Sequence, residues 1–364
     1  LNISIPTRLA LTLVALGATA FLLTACGGMP ATGWAGARVV DGVVYTGTTA
    51  GKVMALDAAT GALKWQFPEK SATAVYATPA FASGVLYFGA FDHKFYALDA
   101  ATGAKKWEFD ANAPIVSSAV VGENGLVYFG TNGKRVYALD ATNGAKKWEF
   151  ETQGEVWADL TLAQGVLYAA SLDHHVYALD AASGARKWDF DAGGIVVTKP
   201  AVAEGLVYVA GLARVYALDA TSGAKKWEFT AANWVWTNPT VVGGVVYVGT
   251  LGGHVYALDA TSGKEKWNVP FKAGDAVRSA IAVEGDTAYF GSDDRRVYAI
   301  DVATGRGKWS RLTNGRVLSS PTVAQGMVYV SSYNHLLYAL DAATGTVRWS
   351  VDVTSGKPAT PAVK

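Results

Sequence analysis

The stretch Tyr216-Ala217-Leu218-Asp219-Ala220-Thr221-Ser222-Gly223-Ala224-Lys225-Lys226-Trp227 recurs, with small changes, eight times along the chain. Its Asp falls at Asp57, Asp99, Asp140, Asp180, Asp219, Asp259, Asp301 and Asp341, at spacings of 39 to 42 residues. Each Asp is followed four residues later by a Gly, from Gly61 to Gly345, and eight residues later by a Trp. Those Trp are Trp65, Trp107, Trp148, Trp188, Trp227, Trp267, Trp309 and Trp349. A period of about 40 residues marks one supersecondary unit repeated, each copy burying its apolar face against the next.

Within a unit the periodicity is that of strands. Gly125-Leu126-Val127-Tyr128-Phe129-Gly130 and Arg135-Val136-Tyr137-Ala138-Leu139-Asp140 are short, β-branched and aromatic-rich, and Thr131-Asn132-Gly133-Lys134 between them has hairpin-turn composition. After residue 33 no segment keeps a 3.6-residue period. The last full unit reads as four strands: Ser319–Val323, Val328–Val330, Leu337–Leu340 and Val347–Ser350. Eight four-stranded units predict an all-β chain, an eight-bladed β-propeller of four-stranded antiparallel blades.

The repeated residues have structural reasons to recur. An Asp side chain accepts from backbone N–H groups two or three residues on, and a Gly four residues later supplies the positive φ that closes the turn. The Trp follows on the outermost strand, where its ring can bury area against the neighbouring blade while the indole N–H finds a backbone acceptor. Losing one fully buried Trp of this kind is expected to cost about 3–5 kcal/mol.

Composition excludes several classes. Of 364 residues 51% are hydrophobic and 17% charged, enough apolar material for a large core. The chain carries 31 Lys and Arg against 30 Asp and Glu, a balance that gives no clustered positive charge for binding nucleic acid. The single cysteine, Cys26, excludes an internal disulfide.

Ahead of the repeats, Arg8 precedes an uncharged, mostly apolar run from Leu9 to Leu23, the length of a secretory h-region and short for a bilayer span. It ends in Leu23-Thr24-Ala25-Cys26, which resembles the lipobox of bacterial lipoproteins. That resemblance implies a signal peptide over residues 1–25, cleavage before Cys26, acylation of its thiol and a tether over residues 26–33. Several acyl chains, at about 0.8 kcal/mol per buried CH₂, would hold the protein on a membrane. Eight tether residues at about 3.4 Å each reach at most roughly 27 Å. In such lipoproteins an Asp after the cysteine marks inner-membrane retention; Gly27 stands there, which implies the outer membrane, on its periplasmic side, or the cell surface.

Over residues 34–364 the pattern Ala-x-Asp-x-x-x-Gly-x-x-x-Trp resembles the tryptophan-docking repeat of pyrroloquinoline-quinone (PQQ)-like propellers. Together with the lipobox it resembles the BamB family of lipoproteins, which belong to the outer-membrane β-barrel assembly machinery. The resemblance implies a non-catalytic, membrane-anchored scaffold with protein partners, possible barrel-assembly components among them. PQQ-dependent dehydrogenases share the propeller, but their adjacent-cysteine disulfide and acidic calcium site have no counterpart here, so no cofactor is expected.

Two expectations concern the ring itself. The segment 36–40 matches the innermost-strand consensus poorly, whereas Pro361 lies 12 residues after Trp349 as Pro321 does after Trp309. Residues 359–363 are therefore expected to supply the innermost strand of the first blade and so join the chain ends. Around one mouth of the axial channel, equivalent repeat positions bring Tyr76, Trp157, Trp236 and Arg278 together, with Trp234, Asp159 and Lys199 beside them. These seven form a candidate binding rim, because Trp, Tyr and Arg carry most interface hot spots. They could equally plug the channel, with Asp159 and Lys199 pairing between adjacent blades. A carbohydrate or other small ligand stacking on Trp157, Trp234 and Trp236 is a further reading, and a generic envelope propeller a further class. His93, His174, His175, His254 and His335 lie in or beside hairpin tips of different blades and are expected to be solvated turn residues, not metal ligands. Asp293-Asp294-Arg295-Arg296 reads as a charged hairpin tip.

Overall fold

The computed structural model describes residues 35–68 and 73–359. The proposed signal peptide, Cys26 and the tether, together with Trp34 and residues 360–364, lie outside the described residues. No helix occurs among the described residues. Eight antiparallel sheets follow one another along the chain, each built from consecutive strands that pair with their sequence neighbours. Blade 5 is typical, with strands Ala201–Ala203, Leu206–Gly211, Arg214–Asp219 and Lys225–Thr230. First strands of adjacent blades touch one another, which places them innermost around the axis. The middle strands read as continuous apolar runs because both of their faces are covered by neighbouring blades. Val207, Tyr208, Val209 and Ala210 are all fully buried, as are Val215, Ala217 and Leu218.

The first strands are shorter than the sequence predicts. In blade 8 pairing covers Thr322–Ala324 instead of starting at Ser319, because Pro321 has no N–H to give a ladder.

The repeat residues form one joint, copied at all eight seams. In blade 1, Asp57 Oδ1 accepts from the backbone N–H groups of Ala59 (3.2 Å) and Thr60 (3.0 Å) and from Thr60 Oγ1 (2.8 Å). Gly61, at φ 73°, closes the turn by donating its N–H to Asp57 O at 2.8 Å. The turn then receives the previous blade. Trp349 Nε1 donates to Ala58 O (2.9 Å), Tyr329 Oη donates to the same oxygen (3.3 Å), and the Trp349 ring lies where a Cβ on Gly61 would sit, 2.8 Å from Cε3. The Gly thus serves both the turn and the docked indole. The same indole bond runs from Trp65 to Ala100, Trp107 to Ala141, Trp148 to Ala181, Trp188 to Ala220, Trp227 to Ala260, Trp267 to Val302 and Trp309 to Ala342, all at 2.9–3.2 Å.

Ring closure corrects the expectation about the chain ends. Ala37–Val40 forms the innermost strand of blade 1, paired with Val43–Gly47. The C-terminal segment goes to the opposite edge instead: Lys357–Pro358 pairs outside Val347–Asp352 as a fifth strand of blade 8. No strand therefore crosses the seam between blades 8 and 1 among the described residues. Side chains close it, through Trp349 and Tyr329 on Ala58 and through Thr322 Oγ1 donating to Ala37 O at 2.5 Å. The Pro361 match is not diagnostic because an innermost strand pairs on one side only and over two to four residues, so its composition is weakly constrained.

Candidate functional site

The loops entering the first strands and the hairpins between second and third strands build one mouth of the channel. Backbone bonds tie the two together in blades 2, 3, 4, 6, 7 and 8, as in Leu172 N to Glu155 O (2.9 Å), Leu251 N to Trp234 O (2.8 Å) and Asp293 N to Ala276 O (2.9 Å). Along the entering segment burial alternates: Val156, Ala158 and Leu160 are buried, while Trp157 and Asp159 remain half-exposed. The same alternation holds at Tyr76, Lys199, Trp236 and Arg278, each half-exposed between buried neighbours. Glycines of the second strands make room for the buried set; a Cβ on Gly249 would lie 2.7 Å from Val277.

Just inside the mouth, the backbone N–H of one blade donates to the side chain at the equivalent position of the next. Gly36 N donates to Thr78 Oγ1 (2.9 Å), Thr78 N to Ser118 Oγ (2.9 Å), Ser118 N to Asp159 Oδ1 (2.6 Å), Lys199 N to Asn238 Oδ1 (2.7 Å) and Ala280 N to Ser320 Oγ (3.0 Å). This belt satisfies N–H groups that an innermost edge strand would otherwise leave unpaired. It also corrects the expected charge pair. Asp159 is spent as an acceptor for Ser118 N and does not bridge to Lys199, which takes part through its backbone.

The outer part of the mouth carries the aromatic and charged groups. Arg278 Nε donates to Asp293 Oδ2 at 3.0 Å, and the guanidinium carbon lies 5.8 Å from the Trp236 ring centroid. Asp293 lies in the charged hairpin tip as expected, but its side chain is only 6% exposed: a buried carboxylate fixes Arg278 over the indole. Such a cation over a Trp face gains electrostatic attraction from the ring quadrupole. The other oxygen, Asp293 Oδ1, is buried without a hydrogen-bond partner. Tyr76 meets Phe91 edge-on at 5.8 Å, and Trp157 Nε1 donates to Glu155 Oε2. Trp234 is half-buried, two residues before Trp236 on the same segment. Trp157 and Trp236 occupy equivalent positions in blades 4 and 6, with Val197 of blade 5 between them in the repeat.

Three participants escaped the sequence reading: Asp293, Phe91 and Glu155. The repeat alignment held the signal for the first two. The residue after the small one that ends each second strand is Phe91, Asn132, Leu172, Leu251, Asp293 or Tyr333 in blades 2, 3, 4, 6, 7 and 8, and Asp293 is the one carboxylate among them.

The histidines stand apart. His93, His174 and His335 occupy hairpin turns at φ 67–80°, whereas His175 and His254 open the third strands of their blades. His175 Nδ1 lies 2.9 Å from Asp189 Oδ2, and burial with the nearby Lys272 charge holds the His254 imidazole below its ordinary pKa. Among the described residues no group of three or more His, Cys, Asp or Glu is arranged to hold a metal ion. Three carboxylates of the mouth already have partners: Asp159 accepts from Ser118 N, Asp293 holds Arg278, and Glu155 accepts from Trp157 Nε1.

Among solved structures, the chain superimposes on the computationally designed Ika8 protein with a TM-score of 0.73 at 16% identity, covering 88% of this chain and 96% of that one. BamB from Moraxella catarrhalis gives a TM-score of 0.66 at 20% identity over 76% of this chain and 85% of its own. The quinohemoprotein alcohol dehydrogenase from Comamonas testosteroni gives 0.67 at 18% identity over 87% and 74%. At these identities the likenesses show the propeller fold alone. No curated protein matches the sequence. A family model does, over residues 29–120, 113–198, 190–278 and 251–363, nearly the whole chain, and its description is outer membrane protein assembly factor BamB. With eight PQQ-like blades and that match along its length, this chain belongs to the BamB family.

Proposed function

We propose that the protein is a non-catalytic interaction scaffold of the cell envelope, anchored through a lipid on Cys26, whose axial mouth docks a protein of the outer-membrane assembly apparatus. One observation carries the reading: Arg278 is fixed by the buried Asp293 over Trp236, on the rim whose equivalent positions also carry Tyr76 and Trp157. Pre-positioned Arg and aromatic side chains around a recess are the composition of an interface hot spot, and fixing them before binding reduces the ordering cost of association. A donor from a partner entering the mouth would also satisfy Asp293 Oδ1, whose burial without a bond costs about 1–3 kcal/mol. Family membership supports the assembly setting. The committed carboxylates of the mouth support a role without PQQ.

Affinity capture from detergent-solubilised host membranes tests the reading. The full chain is expected to recover barrel-assembly proteins, and Trp236→Ala and Arg278→Glu to recover at least about tenfold less. Equal recovery by the variants would remove the mouth from the interaction. Tight uptake of PQQ with calcium, read as Trp fluorescence quenching, would overturn the non-catalytic assignment.

A further inference from the structure

Blade 6 departs from the other seven at its outer edge. Five blades place a Phe two residues after the docking Trp, as in Trp227 and Phe229, but in blade 6 the interval from Trp267 to Phe271 is four. Both ends of that interval keep their usual seats. Trp267 Nε1 donates to Val302 O at 2.9 Å, and Phe271 packs edge-on against Tyr298 at 5.4 Å, as Phe150 does against Tyr177 at 5.3 Å. The two added residues must therefore bulge outwards, and Val269 is 75% exposed. The outer strand is cut to Phe271–Lys272, which pairs only with Val255 and His254. An isolated bridge joins Leu258 to Glu265, Lys266 N donates to Ala257 O at 2.8 Å, and the regular ladder is interrupted at Tyr256.

The neighbouring blade departs at the facing position. Gly307 stands where blades 2, 3 and 5 have Lys105, Lys146 and Lys225, so no side chain fills the space beside Phe271. The two departures together open a groove of about 650 Å³ between blades 6 and 7. Lys266, Lys272 and Arg306 line it, and no carboxylate does. On the outer strands of blades 2 to 5 a basic residue pairs with the acid that follows the docking Trp, as in Lys105 with Glu108 (2.6 Å) and Lys225 with Glu228 (2.5 Å). In blade 6 Asn268 stands in place of that acid, Lys266 reaches Asp259 of its own turn only at 4.0 Å, and Arg306 has no carboxylate within ion-pair distance among the described residues.

We propose that this groove is a second docking site, separate from the axial mouth, which takes an acidic segment of a partner protein. Lys266, Lys272 and Arg306 line it without a lining acid and select an acidic chain, and the exposed Val269 offers an apolar contact to its side chains. The site does not depend on the role assigned to the mouth.

The test uses the full chain and a fluorescein-labelled Glu-Val repeat octapeptide, read by fluorescence anisotropy. Binding is expected to weaken with added salt, to fall at least about tenfold in the double variant Lys272→Glu with Arg306→Glu, and to stay unchanged in Trp236→Ala. Both reversed residues are exposed, so these variants keep the fold, checked by an unchanged Tm. Deleting Val269 and Pro270, which restores the two-residue interval, is expected to abolish binding. Equal binding of a Lys-Val repeat octapeptide, undiminished binding by the charge-reversed variant, or full displacement by inorganic phosphate at equal concentration would each overturn the proposal, the last by reducing the groove to a small-anion site.

Discussion

Replacing Gly223 with Ala isolates the joint on which the ring depends. Gly223 sits at φ 73°, where an L side chain costs about 1–2 kcal/mol. An added Cβ would also lie 2.7 Å from Trp188 Cε3 and 2.8 Å from Cδ2, inside contact distance. Trp188 is 8% exposed and has no room to retreat without loosening its bond to Ala220 O. Overpacking adds about 1–3 kcal/mol and a weakened hydrogen bond up to about 1 kcal/mol, for a total of about 2–6 kcal/mol. Gly205 supplies the control, because its φ is 76° and nothing lies within 4 Å of its would-be Cβ. Gly205→Ala should therefore cost only the backbone part, about 1–2 kcal/mol. Urea denaturation followed by circular dichroism, with thermal scans alongside, measures both. The cycle is completed with Trp188→Ala: once the indole is gone the new methyl has space, so the double variant should be less destabilised than the sum of the singles by about 1–3 kcal/mol. If Gly223→Ala is no worse than Gly205→Ala, or if the cycle is additive, the glycines serve the turn alone and the docking argument fails.

Three more outcomes are expected. All eight repeat Asp carboxylates are held below their ordinary pKa: at Asp219 backbone and side-chain hydrogen bonds from Ser222 and the Lys226 ion pair bring it to about 2, and at Asp341 Arg348 and Thr344 do the same. A depressed folded-state pKa means stability fully present above the unfolded value near 3.8 and lost as pH falls through the folded value, so Tm should drop mainly between pH 4 and about pH 2; a Tm that declines already between pH 7 and 5 would contradict this. Asp159→Ala strips the acceptor from Ser118 N and should cost about 1–2 kcal/mol, whereas Asp159→Asn keeps an oxygen there and should be close to neutral in the same denaturation assay. A circular permutant of residues 35–359 opened between Gly193 and Gly194, with residue 359 joined to residue 35 by a flexible linker, should fold with a Tm within a few degrees of the unpermuted propeller, because the seam it relieves and the seam it opens are made of the same contacts; a monomer that fails to fold would show that the seam between blades 8 and 1 is special.

The parts of the architecture legible in the sequence are those in which one residue type answers one geometric demand. Asp, Gly and Trp at fixed intervals are readable because each seam needs a turn cap, a positive φ with an open face, and a ring to fill it. Tyr45, Tyr87 and Tyr128 belong to the same joint, donating to the carbonyls of Ala100, Ala141 and Ala181, but a strand Tyr is ordinary enough to pass unnoticed. The mouth was legible only as a set of positions. That Tyr76, Trp157, Trp236 and Arg278 share a rim followed from the repeat alignment, but the partner of Arg278 did not, since Asp293 and Arg278 are 15 residues apart on different loops of one blade. Asp159 and Lys199 suggested a bridge by charge alone, when the demand at that layer was for an oxygen to receive a backbone N–H. The bulge at Val269 was overlooked because the spacing from Asp259 to Asp301, 42 residues, falls within the range of the other units.

The seam between the first and last blades bears on how such a chain can grow. A ring woven shut by a strand shared between its ends must repair that weave whenever a unit is gained or lost. Here the last Trp docks on the first blade as every Trp docks on its successor, so duplication of one whole module yields new ends that already know how to meet. The limit on module number is then the angle each wedge subtends.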